Sequence, residues 1–378
     1  MAHYDVIVVG GGTMGTAAAW ELGKRGRSAL VLEQFQHVHT HGAHGGDSRI
    51  IRHAYAEGPD YVPLVFRADD LWMDLEQATG ERIYHRVGGL ELSAPGNDHA
   101  SSARASAEAH GIPFEWLSPA EIRRRFPQFR VGDDWVGGYG ARAGFLDVER
   151  GLRAMAGVAQ AQGVEIRTNT AVTAIDIEAA RPTVQVGNEV ITCDRLIVTA
   201  GAWSRRLLGA AQVPLQVLRK TLFWLEVDEC ALVSEADMPV YIIGIPGYEF
   251  YGFPQWNRPG IKVAVHSGGQ PTDPDRVDRS ISQAERDEIV MVAKQGLQGI
   301  TGVVLDATTC LYTSTPDQNF VIDRHPANPN VVIGTGFSGH GFKFTPAIGE
   351  LLVQVAHGER ETLPLFQINR FAKATPTS

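Results

Sequence analysis

The chain has 378 residues, of which 44% are hydrophobic and 20% are charged, the balance of an ordinary globular protein. Its formal net charge of −9 argues against a nucleic-acid surface, and the absence of any run of about 18 apolar residues argues against a membrane span. The three cysteines are scattered and form no CxxC pair, so we predict neither a disulfide framework nor a zinc site. No secretory signal pattern opens the sequence, and we therefore expect a cytoplasmic protein.

The first elements in chain order form a predicted β–α–β unit. Residues 4–9 are a continuous apolar run, typical of a strand buried on both faces, and a helix of small residues follows through about Arg25. A second apolar run at residues 28–32 ends at Glu33. This order of elements is the one that binds dinucleotides in many α/β proteins.

Glycines at the first turn of this unit have the spacing of a dinucleotide site. Gly10 permits the tight turn, Gly12 lets a pyrophosphate approach the backbone, and Gly15 lets the helix lie close to the sheet. The phosphates would lie at the helix N-terminus, and Glu33 would accept hydrogen bonds from the adenosine ribose. The motif does not separate FAD from NAD, because both cofactors use it.

Two kinds of strand are predicted downstream, and they suggest two interleaved domains. Apolar runs typical of parallel strands lie at 164–167, 194–199 and 330–335. Alternating runs typical of antiparallel strands lie at 87–93, 221–227, 248–253 and 261–266. We predict a discontinuous nucleotide-binding domain from residues 1–85, 145–215 and 305–378, and a sheet-rich domain from 86–144 and 216–304.

Three later segments favour flavin and carry a family resemblance. They read HGAHGGDSRIIRHAY at 41–55, TCLYTST at 309–315 and GTGFSGHGFKFT at 334–345. With GGGTMG at 10–15, they resemble the monomeric sarcosine oxidase and N-methyltryptophan oxidase family of FAD-dependent amine oxidases, in the same order along nearly the whole chain. The resemblance implies an α/β fold with a Rossmann-like FAD-binding domain of the glutathione-reductase type. It also implies a second α+β domain built on a largely antiparallel sheet.

The resemblance assigns the cofactor and the groups around it. It implies FAD attached covalently through Cys310, because that position matches the family cysteine that carries an 8α-S-cysteinyl flavin. The other two thiols, Cys193 and Cys230, fit small packing residues better. Arg49 matches the family arginine that lies over the flavin face, and Lys262 matches the lysine near flavin N5 that activates oxygen.

The resemblance also assigns substrate-binding groups and the reaction. Arg52 and Lys343 match the family pair that grips the substrate carboxylate, with Lys343 also counted in the flavin site. His266 and Tyr251 would line the pocket and position the amine or carboxylate. A hydride equivalent would pass from the N-methyl carbon to flavin N5, and the imine would hydrolyse to formaldehyde and the free amino acid. Oxygen would then be reduced to hydrogen peroxide by what is expected to be a monomeric enzyme.

Several alternatives stay open at this point. The substrate could instead be N-methyl-L-tryptophan or a cyclic secondary amino acid such as proline or pipecolate, since pocket volume decides between them. A dehydrogenase that passes electrons to a quinone or partner protein, or a flavin-binding protein without catalysis, fits less well because Lys262, Arg52 and Lys343 are all present. One departure concerns the flavin surroundings: in the sarcosine oxidases a second histidine follows the one that matches His44, whereas this chain has Gly45 and Gly46.

Overall fold

The computed structural model of the protein describes residues 2–208, 213–228 and 232–371. Cys230 and the tail at 373–378 lie outside the described residues. The α-helices are α1 Thr13–Lys24, α2 Val62–Thr79, α3 His99–Ala109, α4 Pro119–Arg125, α5 Val148–Ala161, α6 Ser204–Leu207, α7 Gln283–Gly296 and α8 Thr345–His357. No helix within the described ranges is both long and apolar enough to cross a membrane.

An eight-stranded sheet carries the predicted β–α–β unit. Its strands are β1 His3–Val9, β2 Ala29–Leu32, β9 Glu165–Arg167, β10 Ala174–Asp176, β11 Thr183–Val186, β12 Glu189–Val198, β19 Val321–His325 and β20 Asn328–Thr335. The strands β9, β2, β1, β12 and β20 are mutually parallel in that order, and β10, β11 and β19 add antiparallel pairs. The strand predicted at 194–199 is longer in the structure, where β12 begins at Glu189. The added residues pair with β11 in an antiparallel hairpin.

A nine-stranded sheet contains every strand predicted from alternation. Its strands are β5 Gly89–Ser93, β6 Glu115–Leu117, β7 Val136–Gly140, β13 Gln216–Val227, β14 Val240–Ile245, β15 Tyr248–Phe253, β16 Ile261–Val265, β17 Gln270–Pro271 and β18 Ile300–Ser314. The pairs are antiparallel except β5 with β14, which are parallel. One face of this sheet packs on α7 and α4 in its own apolar core.

A small third sheet lies between the two large ones. It consists of β3 Ser48–Ile51, β4 Tyr84–His85 and β8 Gly144–Asp147, all antiparallel. Ser48, at the start of β3, accepts hydrogen bonds from Lys262 on β16. Strand β3, which contains Arg49 and is followed by Arg52, is therefore hydrogen-bonded to the second sheet through Lys262.

These sheets agree with the predicted fold class, an α/β fold with a Rossmann-like parallel sheet and a largely antiparallel second sheet. The division into two domains at the stated boundaries stays a prediction. Strand β18 runs without a break through the boundary predicted at residue 305, because it pairs along its length with β13.

The packing of α1 against α8 gives a test of the nucleotide-binding core. A Cβ at Gly349 would lie 2.5 Å from the carbonyl carbon of Ala17 and 2.6 Å from its oxygen, whereas a Cβ at Gly157, on the exposed face of α5, meets nothing within 4 Å. We expect Gly349→Ala to destabilise the fold by about 1–3 kcal/mol through overpacking. The matched change Gly157→Ala should stabilise it by about 0.5–1 kcal/mol, because alanine is the better helix former. Denaturant unfolding measures the free energy of unfolding of both variants. Equal changes in the two variants would contradict the close packing of α1 against α8.

Candidate functional site

A cavity of about 400 Å³ lies at the carboxyl ends of the parallel strands. Gly10 follows β1, Glu33 follows β2, Thr199 follows β12 and Gly336 follows β20, and all four line the cavity. Ligands of open α/β sheets bind at this edge because the loops there are free to diverge around a crevice. The predicted dinucleotide site and this cavity therefore coincide.

Each glycine of the motif has a separate geometric role in the structure. Gly10 has a φ of +97°, and a Cβ there would lie 2.6 Å from the carbonyl oxygen of Thr199. A Cβ at Gly15 would lie 1.8 Å from the carbonyl oxygen of Gly10, so only glycine allows α1 this close to the turn. A Cβ at Gly12 would meet no protein atom within 4 Å and would project into open space at the N-terminus of α1.

The carboxylate of Glu33 is buried at the end of β2 and is held by backbone N–H groups. Gly11 N–H donates to its Oε2 at 2.8 Å, and Phe35 N–H donates to its Oε1 at 2.9 Å. These bonds fix the carboxylate beside the glycine turn, where both oxygens keep lone pairs for further donors. Its position fits the ribose-binding role predicted from the sequence.

His44 provides an unsatisfied polar atom in the wall of the same cavity. Its side chain is buried, and among the described residues its Nε2 has no hydrogen-bond partner. Burial lowers the pKa of His44 to about 3, with the nearby Arg49 charge acting in the same direction, so the ring is neutral at physiological pH. A buried nitrogen without a partner calls for a ligand atom. The open space at Gly12 and the Nε2 of His44 together fit a dinucleotide cofactor.

Cys310 lies on β18 directly before Leu311 and Tyr312, which line the cavity. Its thiol is free and 1% exposed. Burial raises the pKa of the Cys310 thiol, while four cationic side chains oppose that rise. Those side chains belong to Arg49, Lys220, Lys262 and Arg279. The other described thiol, Cys193, is packed in the apolar core of the first sheet.

Lys262 is buried under the segment that leads into β3. Its Nζ donates to the carbonyl oxygen of Gly46 at 2.6 Å, to that of Ser48 at 2.7 Å and to the Ser48 hydroxyl at 2.8 Å. It also lies 4.0 Å from the ring centroid of Phe253. Burial holds the pKa of Lys262 well below its usual range, and the Arg49 charge adds to this effect.

Arg49 joins the large cavity to a smaller one. Its guanidinium donates to three carbonyl oxygens, those of Ser48 at 2.8 Å and of Ala43 and Gly45 at 2.7 Å. The side chain lines both cavities, as do Tyr312, Gly339 and Phe342. The bonds to the 43–48 segment fix the guanidinium at the boundary between the two.

The smaller cavity, of about 60 Å³, brings together Arg52, Lys343, His266 and Tyr251. The structure thus places these predicted substrate-binding residues in one wall. The Arg52 guanidinium is already engaged, because it donates to Oε2 of Glu57 at 2.6 Å and lies 3.5 Å from Oε1 of Glu91.

The ammonium of Lys343 is less fully paired than that of Lys262. Its Nζ donates to the carbonyl oxygen of His340 at 2.9 Å and lies 3.4 Å from the Tyr55 hydroxyl. Burial lowers the pKa of Lys343 to about 7, with the Glu57 carboxylate opposing the shift. The backbone here is held by Trp72, whose indole N–H donates to the carbonyl oxygen of Lys343 at 3.0 Å.

His266 and Tyr251 form an aromatic wall with Tyr312. The His266 ring centroid lies 5.8 Å from that of Tyr312 and 6.3 Å from that of Tyr251. Burial lowers the pKa of His266 and raises that of Tyr251, so both rings are uncharged near neutral pH. They can accept and donate hydrogen bonds but cannot neutralise an anion, whereas Arg52 and Lys343 carry or can carry a positive charge.

Four ionisable residues at this cavity were not predicted from the sequence. Glu57 and Glu249 line it, and Glu91 and His99 lie behind them. His99 donates to Glu249 Oε2 at 3.0 Å and also pairs with Glu91 Oε2. Only Glu249 carried a sequence signal, since it lies two positions before Tyr251 in an alternating run and must share its face.

Gly12 allows the cofactor site to be tested apart from the fold. Gly12→Ala adds a Cβ that meets no protein atom, at a position whose φ of −70° suits alanine. We expect the apoprotein to unfold at the same denaturant concentration as the unaltered apoprotein, while the flavin content after purification falls sharply because the Cβ occupies the pyrophosphate approach. Absorbance measures the flavin content, and denaturant unfolding measures the stability, of Gly12→Ala and of the unaltered protein. An undiminished flavin content in the variant would contradict a pyrophosphate site at Gly12.

Comparisons with known proteins agree with this geometry. Residues 5–355 match the family model described as FAD dependent oxidoreductase. The chain is 37% identical over 375 residues to the monomeric sarcosine oxidase of Bacillus sp. (strain B-0618), covering 97% of this chain and 96% of that enzyme. It is 32% identical over 380 residues to the N-methyl-L-tryptophan oxidase of Yersinia pestis (strain Pestoides F), covering 97% and 99%.

Solved structures share the fold at lower identity. NikD, an amino acid oxidase of nikkomycin biosynthesis, in its Tyr258Phe mutant superposes with a TM-score of 0.83 at 23% identity, covering 100% of this chain and 98% of that one. The L-proline dehydrogenase of P. horikoshii gives a TM-score of 0.83 at 20% identity, covering 98% of each chain. On its matched length and its relatives, the chain belongs to the monomeric sarcosine oxidase and N-methyl-L-tryptophan oxidase family of FAD-dependent oxidoreductases.

Proposed function

We propose that this FAD-dependent amine oxidase oxidises sarcosine and related N-methyl amino acids, giving the free amino acid, formaldehyde and hydrogen peroxide. The observation that carries the proposal is the small cavity that opens from the cofactor cavity and holds Arg52 and Lys343 in one wall. A volume of about 60 Å³ favours a small substrate over the indole of N-methyl-L-tryptophan. The sarcosine oxidase relatives support the same choice.

The substrate carboxylate would bind between Arg52 and Lys343. Arg52 offers bidentate geometry, and Lys343 offers a point charge with few competing acceptors. Because Arg52 already donates to Glu57, a bound carboxylate must share or replace that partner. The carboxylate clamp then directs the amine toward the boundary with the cofactor cavity, where Tyr312 and Phe342 belong to both walls.

The flavin, when bound, supplies an acceptor for a hydride equivalent and a donor of electrons to oxygen. The chain supplies the environment for these steps. The neutral imidazole of His266 tolerates an unprotonated amine, whose lone pair drives the transfer. Lys262, buried beside the same segment as Arg49, would in its protonated form stabilise anionic oxygen.

The proposal extends to the cofactor linkage and to the state of the protein. We place the covalent link at Cys310, because its thiol lies beside cavity-lining residues and amid four cationic side chains that favour the thiolate. Arg49 would lie over the flavin face. We further propose a monomer that acts in the cytoplasm, as the sequence analysis expects.

The deciding experiment measures peroxide release in air and flavin bleaching without oxygen. Sarcosine, N-methyl-L-tryptophan and L-proline are compared at equal concentration. The proposal expects the fastest release with sarcosine. Faster peroxide release with either larger compound would make that compound the preferred substrate. Bleaching of the flavin without peroxide release in air would indicate another electron acceptor. Silence with all three would overturn the proposal.

The lowered pKa of Lys343 gives the carboxylate clamp a pH dependence. The ammonium is charged below about pH 7 and loses its proton as the pH rises through that value, whereas a bound carboxylate would hold the proton on. We expect the Kd of methoxyacetate, a carboxylate with no ionisable amine, to be constant below about pH 7 and to rise by up to about tenfold per pH unit above it. Flavin absorbance reports binding. Lys343→Met should bind methoxyacetate weakly, with a Kd that does not change with pH. A Kd that is independent of pH in the unaltered enzyme would contradict carboxylate binding by Lys343.

The covalent link predicts a difference between two buried thiols. We expect denatured wild-type protein to keep its flavin fluorescence on the polypeptide, and Cys310→Ser to release all of its flavin, because serine lacks the nucleophilic thiolate. The control is Cys193→Ser, which changes an equally buried thiol in the first sheet and should keep the flavin attached. Release of flavin from the wild-type protein would contradict the assignment.

A further inference from the structure

The lining of the small cavity contains carboxylates for which sarcosine, which has no side chain, offers no side-chain partner. Glu249 and Glu57 both line it, and the side chain of each is 29% exposed. By contrast, Arg52, Glu91 and His99 beside them are 4–5% exposed. The two carboxylates are therefore the acidic groups of the cavity lining that keep part of their surface exposed. Of these two carboxylates, Glu57 pairs directly with the Arg52 guanidinium.

Glu249 is the end of a buried chain of alternating charges. Arg52 Nε lies 3.5 Å from Glu91 Oε1, Glu91 Oε2 pairs with His99 Nε2, and His99 Nδ1 lies 3.0 Å from Glu249 Oε2. Although burial disfavours the charged ring, its two carboxylate partners raise the pKa of His99 to about 9. His99 is thus a cation at neutral pH, and it holds Glu249 ionised.

The strand geometry directs Glu249 into the cavity. Tyr251 and Glu249 lie two apart on β15 and therefore point to the same face, while Phe250 between them packs in the apolar core of the sheet. Glu91 and Ile242 are paired on β5 and β14, and Ile242 is paired with Tyr251, so all three share that face. Among the described residues Oε1 of Glu249 accepts no hydrogen bond, whereas Oε2 is held by His99.

We propose that Glu249 determines specificity by accepting a cationic or strongly donating group on the substrate side chain. The substrate class is then a small secondary amino acid with a short basic side chain, in keeping with the cavity of about 60 Å³. Its carboxylate binds Arg52 and Lys343, and its distal ammonium binds Glu249. This inference rests on the proposed function and refines its substrate. A carboxylate anchored through a buried cation and left with one free oxygen is pre-organised for such a donor.

The test compares N-methyl amino acids matched in size but not in charge. The N-methyl derivatives of 2,4-diaminobutyrate, ornithine and lysine are each paired with the straight-chain alkyl analogue of equal atom count, and sarcosine is measured beside them. For at least one length we expect kcat/KM of the basic substrate to exceed that of its alkyl analogue by about tenfold or more, as for a charge-assisted bond in a partly buried site. Ratios at or below one for all three lengths would overturn the inference.

Glu249→Gln assigns the preference to this carboxylate. The variant should lose the basic-over-alkyl preference, a ratio of kcat/KM values that a uniform loss of activity would leave unchanged. The control Glu288→Gln removes an exposed charge that accepts a hydrogen bond from Tyr248, the neighbour of Glu249, and should keep the preference. A preference that survives in Glu249→Gln, or an equal loss for all substrates as a structural role would give, overturns the assignment.

The outcomes separate this inference from the proposed function. Turnover of sarcosine without any charge preference overturns only the role of Glu249. Failure of sarcosine and of every N-methyl amino acid to bleach the flavin anaerobically overturns the proposed function itself. Because the substrate series is measured first on the unaltered holoenzyme, the result does not depend on the folding of a variant.

Discussion

The buried ammonium of Lys262 holds the two sheets of the site in register. Its three hydrogen bonds reach from β16 to Gly46 and Ser48, residues more than two hundred positions earlier in the chain. Those residues lead directly into β3, which carries Arg49 and delivers Arg52 to the small cavity. Since Tyr251 lies on β15, the strand paired with β16, the same contact fixes the aromatic wall relative to both arginines. Burial of Lys262 under this segment accounts for its lowered pKa.

The small cavity balances its positive charges with carboxylates that belong to the protein. Without Glu57 and Glu91, the Arg52 guanidinium would be an unpaired charge in a nearly dry wall, and the cost of burying it would be large. Although burial acts in the opposite direction, the Arg52 charge keeps the pKa of Glu57 well below its usual range. If Arg52 binds the substrate carboxylate as we propose, that carboxylate would replace one anionic partner with another, and the free energy of binding would come from the geometry of the new pair and from Lys343.

The sequence predicts the parts of the site whose geometry is local. The turn from β1 into α1 is decided by three glycines within six residues, and Glu33 follows the next strand, so both could be placed from spacing. The proposed roles of Arg52, Lys343 and Lys262 were predicted only through family resemblance, because the spacing of Arg52 and Lys343 contains no physical signal that they line one cavity. The chain of Glu91, His99 and Glu249 was missed altogether. Its members come from β5, α3 and β15, which meet through parallel pairing of β5 with β14 over a long separation in sequence. Alternation could place Glu249 on the face of Tyr251, but it could not say what that face meets.

The Gly45 and Gly46 departure acquires a physical interpretation from the same segment. Gly46 has a φ of +93° and packs against Leu222, a conformation in which a larger residue would be strained. Gly45 is different, because a Cβ there would lie 3.5 Å from the carbonyl oxygen of Thr309, an ordinary contact that tolerates a side chain.

Thr309 immediately precedes Cys310, so an imidazole at position 45 would lie near the thiol that we propose carries the flavin. In this chain the positive charges around that thiol come instead from Arg49, Lys220, Lys262 and Arg279. Lys220 is paired with Cys310 across β13 and β18, and its own pKa is lowered by burial to about 8, so it retains a charge at neutral pH. Stabilisation of the proposed thiolate therefore falls to arginine and lysine side chains, whose charges oppose the rise that burial causes in the pKa of Cys310 without cancelling it.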